Sequence, residues 1–249
     1  MPDRSTLTRE LHENGFVVIR EALKQEDVDE VRALLGVVFD KCSNAGGRAP
    51  GRGEPSAPQA PLQPDVNRAV RLEPRLKRVG AYRQCRTIAS RILDRQAYYI
   101  FDHAIFRHPH CHEATEWHQD QAYMGQGIDL GSLHFWIPLQ DVSEENGCME
   151  YVPRSHRQGL VEHAVRTTQS GDRVLVARTP AVSPVVCSMR AGDVSVHHPC
   201  TMHFVGPNRS DAARRAWIIH FGPFGALAYL RPRTFFRKIR KMIDDRAQR

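Results

Sequence analysis

A chain of 249 residues with 41% hydrophobic and 25% charged residues has the make-up of a globular domain, and no apolar run approaches the roughly 20 residues that cross a bilayer. The opening Met1-Pro2-Asp3-Arg4 lacks the apolar core and small-residue cleavage site of an export signal, so a cytoplasmic protein is expected. Six scattered cysteines make no C-x-x-C pair, which argues against a zinc ribbon or disulfide framework, and a net charge of +7 favours anionic partners without bearing on fold.

The first predicted element is a short strand over Gly15 to Arg20. A helix follows, with Val28, Val31, Leu34, Leu35, Val38 and Phe39 on one face and Glu26 and Asp27 at its start, where the helix dipole favours negative charge. Such a helix covers a sheet. Residues 43–65 then turn to Gly, Pro, Ala, Ser and Gln, too poor in large apolar groups to order themselves; they are expected to form a flexible loop, either an idle insertion or a lid.

Arg75 to Leu93 reads as a further helix and Ala97 to Phe106 as a strand. The chain then stays β-like, with short apolar runs at Leu133 to Leu139, Cys148 to Val152, Val174 to Val176, Val185 to Met189, Val194 to His197 and Ala216 to Phe221. Turn-forming stretches such as Glu144-Glu145-Asn146-Gly147 separate them. N-terminal helices ahead of many short strands imply a mainly β fold with flanking helices, a sandwich or jelly roll, as one domain over residues 1–249. The tail 231–249 is basic, with Phe235, Ile239 and Met242 at helical spacing, and is expected to pack as a C-terminal helix.

The chemistry concentrates at Trp117-His118-Gln119-Asp120. On extended backbone, residues two apart face the same side, so imidazole and carboxylate converge. A second histidine from a distant strand would complete a two-histidine, one-carboxylate set with open metal positions, and His203, expected at a strand end, is the candidate. Arg214 lies eleven positions later, where a planar guanidinium can clamp a carboxylate through two parallel hydrogen bonds. Phe106, Arg107, Tyr123 and Met124 flank the metal motif as candidate substrate-pocket residues. His108-Pro109-His110-Cys111-His112 has the look of a second metal cluster but lacks an evident partner ligand.

These residues resemble the phytanoyl-CoA dioxygenase family of Fe(II)/2-oxoglutarate oxygenases. The likeness runs through Trp117-His118-Gln119-Asp120, His134 to Ser143 with Glu145-Asn146-Gly147, Val152 to His156, Ala191-Gly192-Asp193, and His203 through Pro207-Asn208-Arg209-Ser210 to Ala216. It implies a double-stranded β-helix, a cupin-like jelly roll, with Fe(II) on His118, Asp120 and His203. It also implies 2-oxoglutarate held by Arg214 and lined by Trp136, with O2 as the other cosubstrate; Arg215 competes with Arg214 for the clamp.

The implied reaction is hydroxylation, or a related oxidation, of an unactivated C–H bond in a small-molecule metabolite, anionic or thioester-linked, with release of succinate and CO2. The implied setting is biosynthesis of secondary metabolites, with neither a nucleic-acid nor a membrane partner. Halogenating relatives lack the carboxylate that Asp120 supplies. Two departures stand out: Phe204 and Val205 follow the distal histidine where a hydroxyl is common, and Arg154 replaces glycine in Pro153-Arg154-Ser155-His156. The rival readings are a zinc-type metallohydrolase, which needs the same donors but no Arg214, and a non-catalytic jelly-roll binding protein.

Overall fold

The computed structural model describes residues 3–44, 65–124, 131–168 and 173–223. The tail 231–249 and most of the expected loop 43–65 lie outside the described residues; residues 43–44 end a helix and Asp65 starts a strand. The helices are α1 (Arg4–Asn14), α2 (Gln25–Asn44), α3 (Ala69–Leu72), α4 (Gly80–Leu93) and α5 (Gln121–Met124). The strands are β1 (Phe16–Ile19), β2 (Asp65–Asn67), β3 (Tyr98–Arg107), β4 (Thr115–His118), β5 (Leu133–Pro138), β6 (Met149–Tyr151), β7 (His163–Thr167), β8 (Arg173–Ala177), β9 (Val185–Cys187), β10 (Val194–His197), β11 (His203–Val205) and β12 (Arg214–Gly222). No helix among the described residues is long and apolar enough to cross a membrane.

Apolar spacing does not predict α1, which buries only Leu7 and Leu11. Its ends mark it instead: the Asp3 carboxylate accepts from the Thr6 N–H at 2.9 Å, and Gly15 closes the helix at φ 86°. The single helix expected over Arg75 to Leu93 is divided. A 3₁₀ turn covers Pro74–Arg78, Val79 is extended, and α4 starts at Gly80, where a Cβ would overlap the Asp27 carboxylate of α2.

Six strands pair in the order β1-β10-β5-β12-β3-β2 and four in the order β4-β11-β6-β9, all antiparallel; β7 and β8 form a separate ribbon. One face of the larger sheet packs Phe135, Ile137, Trp217, Ile219 and Phe221 against Val31, Leu35, Val38 and Ile88 of the helices. Its other face turns Ile105, Trp136, Ala216 and Ile218 toward Met149, Tyr151 and Val205 of the smaller sheet. This two-sheet jelly roll, the double-stranded β-helix, buries β5 on both faces, so all six of its residues are buried.

His203 opens β11 rather than ending the preceding strand. β10 stops at His197, and a turn through His198 to Met202 intervenes. That turn is pinned to the α1–β1 junction, because the Gly15 carbonyl accepts from the His198 N–H at 2.9 Å and the Thr201 hydroxyl at 2.7 Å. Gly15 must be glycine on two counts, its positive φ and a Cβ that would strike His156 and Thr201. A second anchor is Asp193, whose buried carboxylate accepts from the Glu21 and Arg190 N–H groups, each at 2.9 Å, and from Arg20 Nη1 at 2.7 Å.

Candidate active site

Strand pairing brings the predicted donors together. His203 of β11 lies directly opposite His118 of β4, with ring centroids 4.1 Å apart, and Asp120 follows two residues after His118. Asp120 Oδ1 lies 3.4 Å from His118 Nε2 and 3.8 Å from His203 Nε2. Each imidazole is oriented by the carbonyl two residues before it: His118 Nδ1 donates to Glu116 O at 2.7 Å and His203 Nδ1 to Thr201 O at 2.9 Å. Both Nε2 atoms are thereby left as free lone pairs facing the carboxylate, the tautomer a metal ligand requires.

Gln119, between the first two donors, turns the other way and is fully buried. Its amide donates to Gly159 O and Cys200 O at 2.8 and 2.7 Å and accepts from the Val161 N–H at 2.8 Å, while its own N–H donates to His163 Nε2 at 3.0 Å. It clamps the His-x-Asp turn to the His198–Met202 turn ahead of His203. Sequence reasoning passed over Gln119; the available signal was a polar residue forced to the opposite face of a site strand.

Burial pushes the Asp120 carboxyl up, but the His203 and His134 imidazoles packed around it, with the hydrogen bond from His134, outweigh it and hold the group well below the usual carboxylate range. Burial, reinforced by His118, pulls His203 well below the usual imidazole value. At neutral pH the site therefore offers one carboxylate and neutral imidazole, a donor set suited to a first-row divalent metal.

Arg214 opens β12 with its side chain on the interior face, 1% exposed, and none of its three guanidinium nitrogens has a hydrogen-bond partner. Its cross-strand neighbour is Arg107 of β3, whose two Nη atoms donate to Asp65 at 2.7 and 3.3 Å while its Nε has no partner. Asp65 thus pairs with Arg107, and none of the Arg214 nitrogens reaches it. Burial and the Arg107 charge together pull Arg214 down to about 9, the condition of a cation awaiting an anion. Arg215 faces away, its guanidinium 4.9 Å from the Phe106 ring centroid. Trp136 is buried on the interior face with its indole N–H unpartnered.

The remaining predicted residues divide. Phe106 packs edge-on against Phe39 of α2, on the helix-covered face opposite Arg214. Tyr123 stands edge-on to His118 at 6.3 Å and accepts from the Leu175 N–H at 3.0 Å. Met124 is buried at the end of α5. In the 108–112 cluster, His110 pairs with exposed Asp211 at 2.9 Å, and among the described residues no metal-holding group draws on this stretch. Of the two departures, Val205 takes the interior position two after His203 while Phe204 stacks on Trp117; Arg154 stands at φ 65°, where glycine is the easier residue, and nothing in the structure explains it.

Sequence reasoning also missed a set of histidines around the donors, buried except for half-buried His103. His134 of β5 and His197 of β10 are cross-strand partners, and both reach Asp120 Oδ2, at 2.6 and 3.1 Å. His220 of β12 stacks on His134 with ring centroids 3.5 Å apart, and His103 of β3 lies edge-on to His220. The signal was present: each sits on the same strand face as Trp136, Ser195 or Ile218.

A family model described as phytanoyl-CoA dioxygenase matches residues 11–216. The phytanoyl-CoA dioxygenase domain-containing protein 1 of Mus musculus is 29% identical over 121 residues, 47% of this chain and 42% of that protein. The chain thus spans less than half the length of this curated relative. Among solved structures, EvdO2 from Micromonospora carbonacea var. aurantiaca, complexed with 2-oxoglutarate, superimposes with a TM-score of 0.73 at 27% identity, over 89% of this chain and 91% of its own. The non-heme alpha ketoglutarate dependent carbocyclase SnoK from nogalamycin biosynthesis gives 0.66 at 28% identity, over 87% and 83%.

Proposed function

The chain belongs to the phytanoyl-CoA dioxygenase family, and from that premise we propose that it is an Fe(II)- and 2-oxoglutarate-dependent dioxygenase acting on a C–H bond of a small-molecule metabolite. The observation that carries the reading is Arg214, a buried guanidinium without an anion on the same interior wall as Trp136. His118, Asp120 and His203 would hold the iron, and Arg214 would take the far carboxylate of 2-oxoglutarate through two parallel hydrogen bonds. Arg107 is the poorer clamp because both of its Nη atoms already donate to Asp65. The unpartnered Trp136 N–H lines the same space.

When bound, ferrous iron with 2-oxoglutarate and O2 supplies an oxidant for unactivated carbon, the cosubstrate leaving as succinate and CO2. The protein's share is to fix ligand geometry, to neutralise the cosubstrate's distal charge and to keep the interior dry between two sheets. A carboxylate at Asp120 fills the place that halogenating relatives leave to chloride, which favours hydroxylation or a related oxidation. The net charge of +7 supports an anionic or thioester-linked substrate. The similarity to an enzyme of nogalamycin biosynthesis supports a role in secondary-metabolite formation. Six free cysteines accord with a cytoplasmic setting.

A zinc hydrolase would leave Arg214 without a use, and a non-catalytic binding protein would not need the three converging donors. The test is anaerobic: ferrous protein should develop a visible charge-transfer band on addition of 2-oxoglutarate and release succinate only when O2 is admitted. Asp120→Ala should abolish both. Wild-type turnover in that variant, with iron content verified, refutes the assignment.

A further inference from the structure

Asp120 presents its two oxygens to different partners. Oδ1 faces His118 and His203, while Oδ2 is taken by His134 Nδ1 at 2.6 Å and His197 Nε2 at 3.1 Å. A carboxylate only accepts, so both imidazole nitrogens donate. The opposite nitrogens then accept, and each meets a hydroxyl: His134 Nε2 lies 3.1 Å from Ser132 Oγ, and His197 Nδ1 lies 3.1 Å from Tyr151 Oη. Tyr151 Oη in turn accepts from Ser195 Oγ at 2.8 Å. Every nitrogen of the pair thus has a partner. Because Tyr151 belongs to the smaller sheet and His197 to the larger, the chain of bonds crosses the barrel interior.

We infer that His134 and His197 are positioning residues that reserve Asp120 Oδ2, so that Asp120 reaches the metal through Oδ1 alone. This rests on the function proposed above. The consequence lies in coordination number. An octahedral ferrous ion with three monodentate protein ligands keeps three positions, two for the chelating cosubstrate and one open. A carboxylate free to swing both oxygens onto the ion would consume that open position. Two fixed donors on Oδ2 prevent the swing, and His134 is itself held flat against His220 at 3.5 Å, with the rings 7° from parallel.

The same three residues, Asp120, His134 and His197, also have donor atoms close enough to enclose a metal ion. The 2.6 Å separation of His134 Nδ1 from Oδ2 argues for the hydrogen bond, because two ligands each about 2.0–2.2 Å from one ion stand farther apart than that in tetrahedral or octahedral geometry.

The test compares three full-length proteins: wild type, the double variant His134→Phe/His197→Phe, and the double variant His134→Asn/His197→Gln. Phenylalanine keeps the ring contacts and removes the donors. Asparagine places an amide N–H near the lost Nδ1, and glutamine places one near the lost Nε2. Anaerobic Fe(II) titration gives affinity and stoichiometry, and the absorption band raised by 2-oxoglutarate reports the coordination of the ion; circular dichroism and melting curves establish that each variant is folded.

The expected result is one ion per wild-type chain, a metal affinity about 10–100-fold weaker with an altered band in the Phe pair, and recovery toward wild type in the Asn/Gln pair. Equal affinity and an identical band in all three proteins overturn the inference alone. Two ions per wild-type chain, with one lost in the Phe pair, overturn it in favour of a second metal site. Failure of the wild type to bind iron overturns the proposed function and this inference with it.

Discussion

Replacing Arg214 by methionine should strengthen the fold while removing the response to 2-oxoglutarate. The guanidinium is 1% exposed, has no hydrogen-bond partner and is drawn from its ordinary value down to about 9 by burial and by Arg107. At about 1.4 kcal/mol for each tenfold change in acidity, that displacement corresponds to about 5 kcal/mol against the folded cation at neutral pH. Water entering the cavity reduces this, and replacing a buried charge by a well-packed apolar group typically recovers about 1–4 kcal/mol. In a chain of this size each kcal/mol moves the melting temperature by about 2–4 °C. Arg214→Met without ligand should therefore melt roughly 2–16 °C above wild type. Saturating 2-oxoglutarate should raise the wild-type melting temperature by mass action and leave the variant unmoved. Losing the bidentate pair should raise the KM for 2-oxoglutarate by about 30–1,000-fold, the equivalent of about 2–4 kcal/mol. Differential scanning fluorimetry with and without 2-oxoglutarate reads both signs at once. A variant that melts below wild type and still gains stability from 2-oxoglutarate refutes the assignment of Arg214 as the clamp.

Two further expectations concern stability. Burial holds His103 down to about 4, so the folded chain keeps it neutral while the unfolded chain takes up a proton below its ordinary 6.5. Its contribution is complete above pH 6.5 and is lost as pH falls toward 4, a loss of about 3 kcal/mol for this group. Urea midpoints measured from about pH 7.5 down to about 4.5 should fall, and His103→Phe should flatten the slope; parallel slopes would contradict the buried-neutral reading. Asp193→Ala strips acceptors from the Glu21 and Arg190 N–H groups and from Arg20, and should cost about 2–4 kcal/mol in chemical denaturation; a change under about 0.5 kcal/mol would show that water replaces the carboxylate.

What the sequence disclosed and what it hid follow from range. His118 and Asp120 are two residues apart, and that local spacing survives folding as a shared orientation. Spacing favours Arg214 over Arg215, which must face opposite ways on a strand, and in the sheet Arg214 pairs with Arg107 on the interior face while Arg215 lies over Phe106. α1 escaped notice because two leucines carry its packing and its caps carry its boundaries. His134 and His197 were invisible as a pair because 62 intervening residues separate two positions that adjacent strands make neighbours.

The strands nevertheless held a usable signal. In a strand buried on both faces, period-two hydrophobicity vanishes, but polarity can keep the same period, since a buried polar group persists only where it meets a partner or a ligand. β5 alternates His134 and Trp136 with Leu133, Phe135 and Ile137; β10 alternates Ser195 and His197 with Val194 and Val196. In β12, Arg214 and His220 fall on one parity, and Trp217, Ile219 and Phe221 on the other, with Arg215 the one polar exception, half-buried near the strand's start. The polar parity is in each case the barrel interior, the face that carries the metal donors, the orphaned guanidinium and the hydrogen-bond chain to Asp120 Oδ2. Polar residues recurring at every second position of a continuous apolar strand therefore identify the site-facing wall of such a sheet before any partner strand is known.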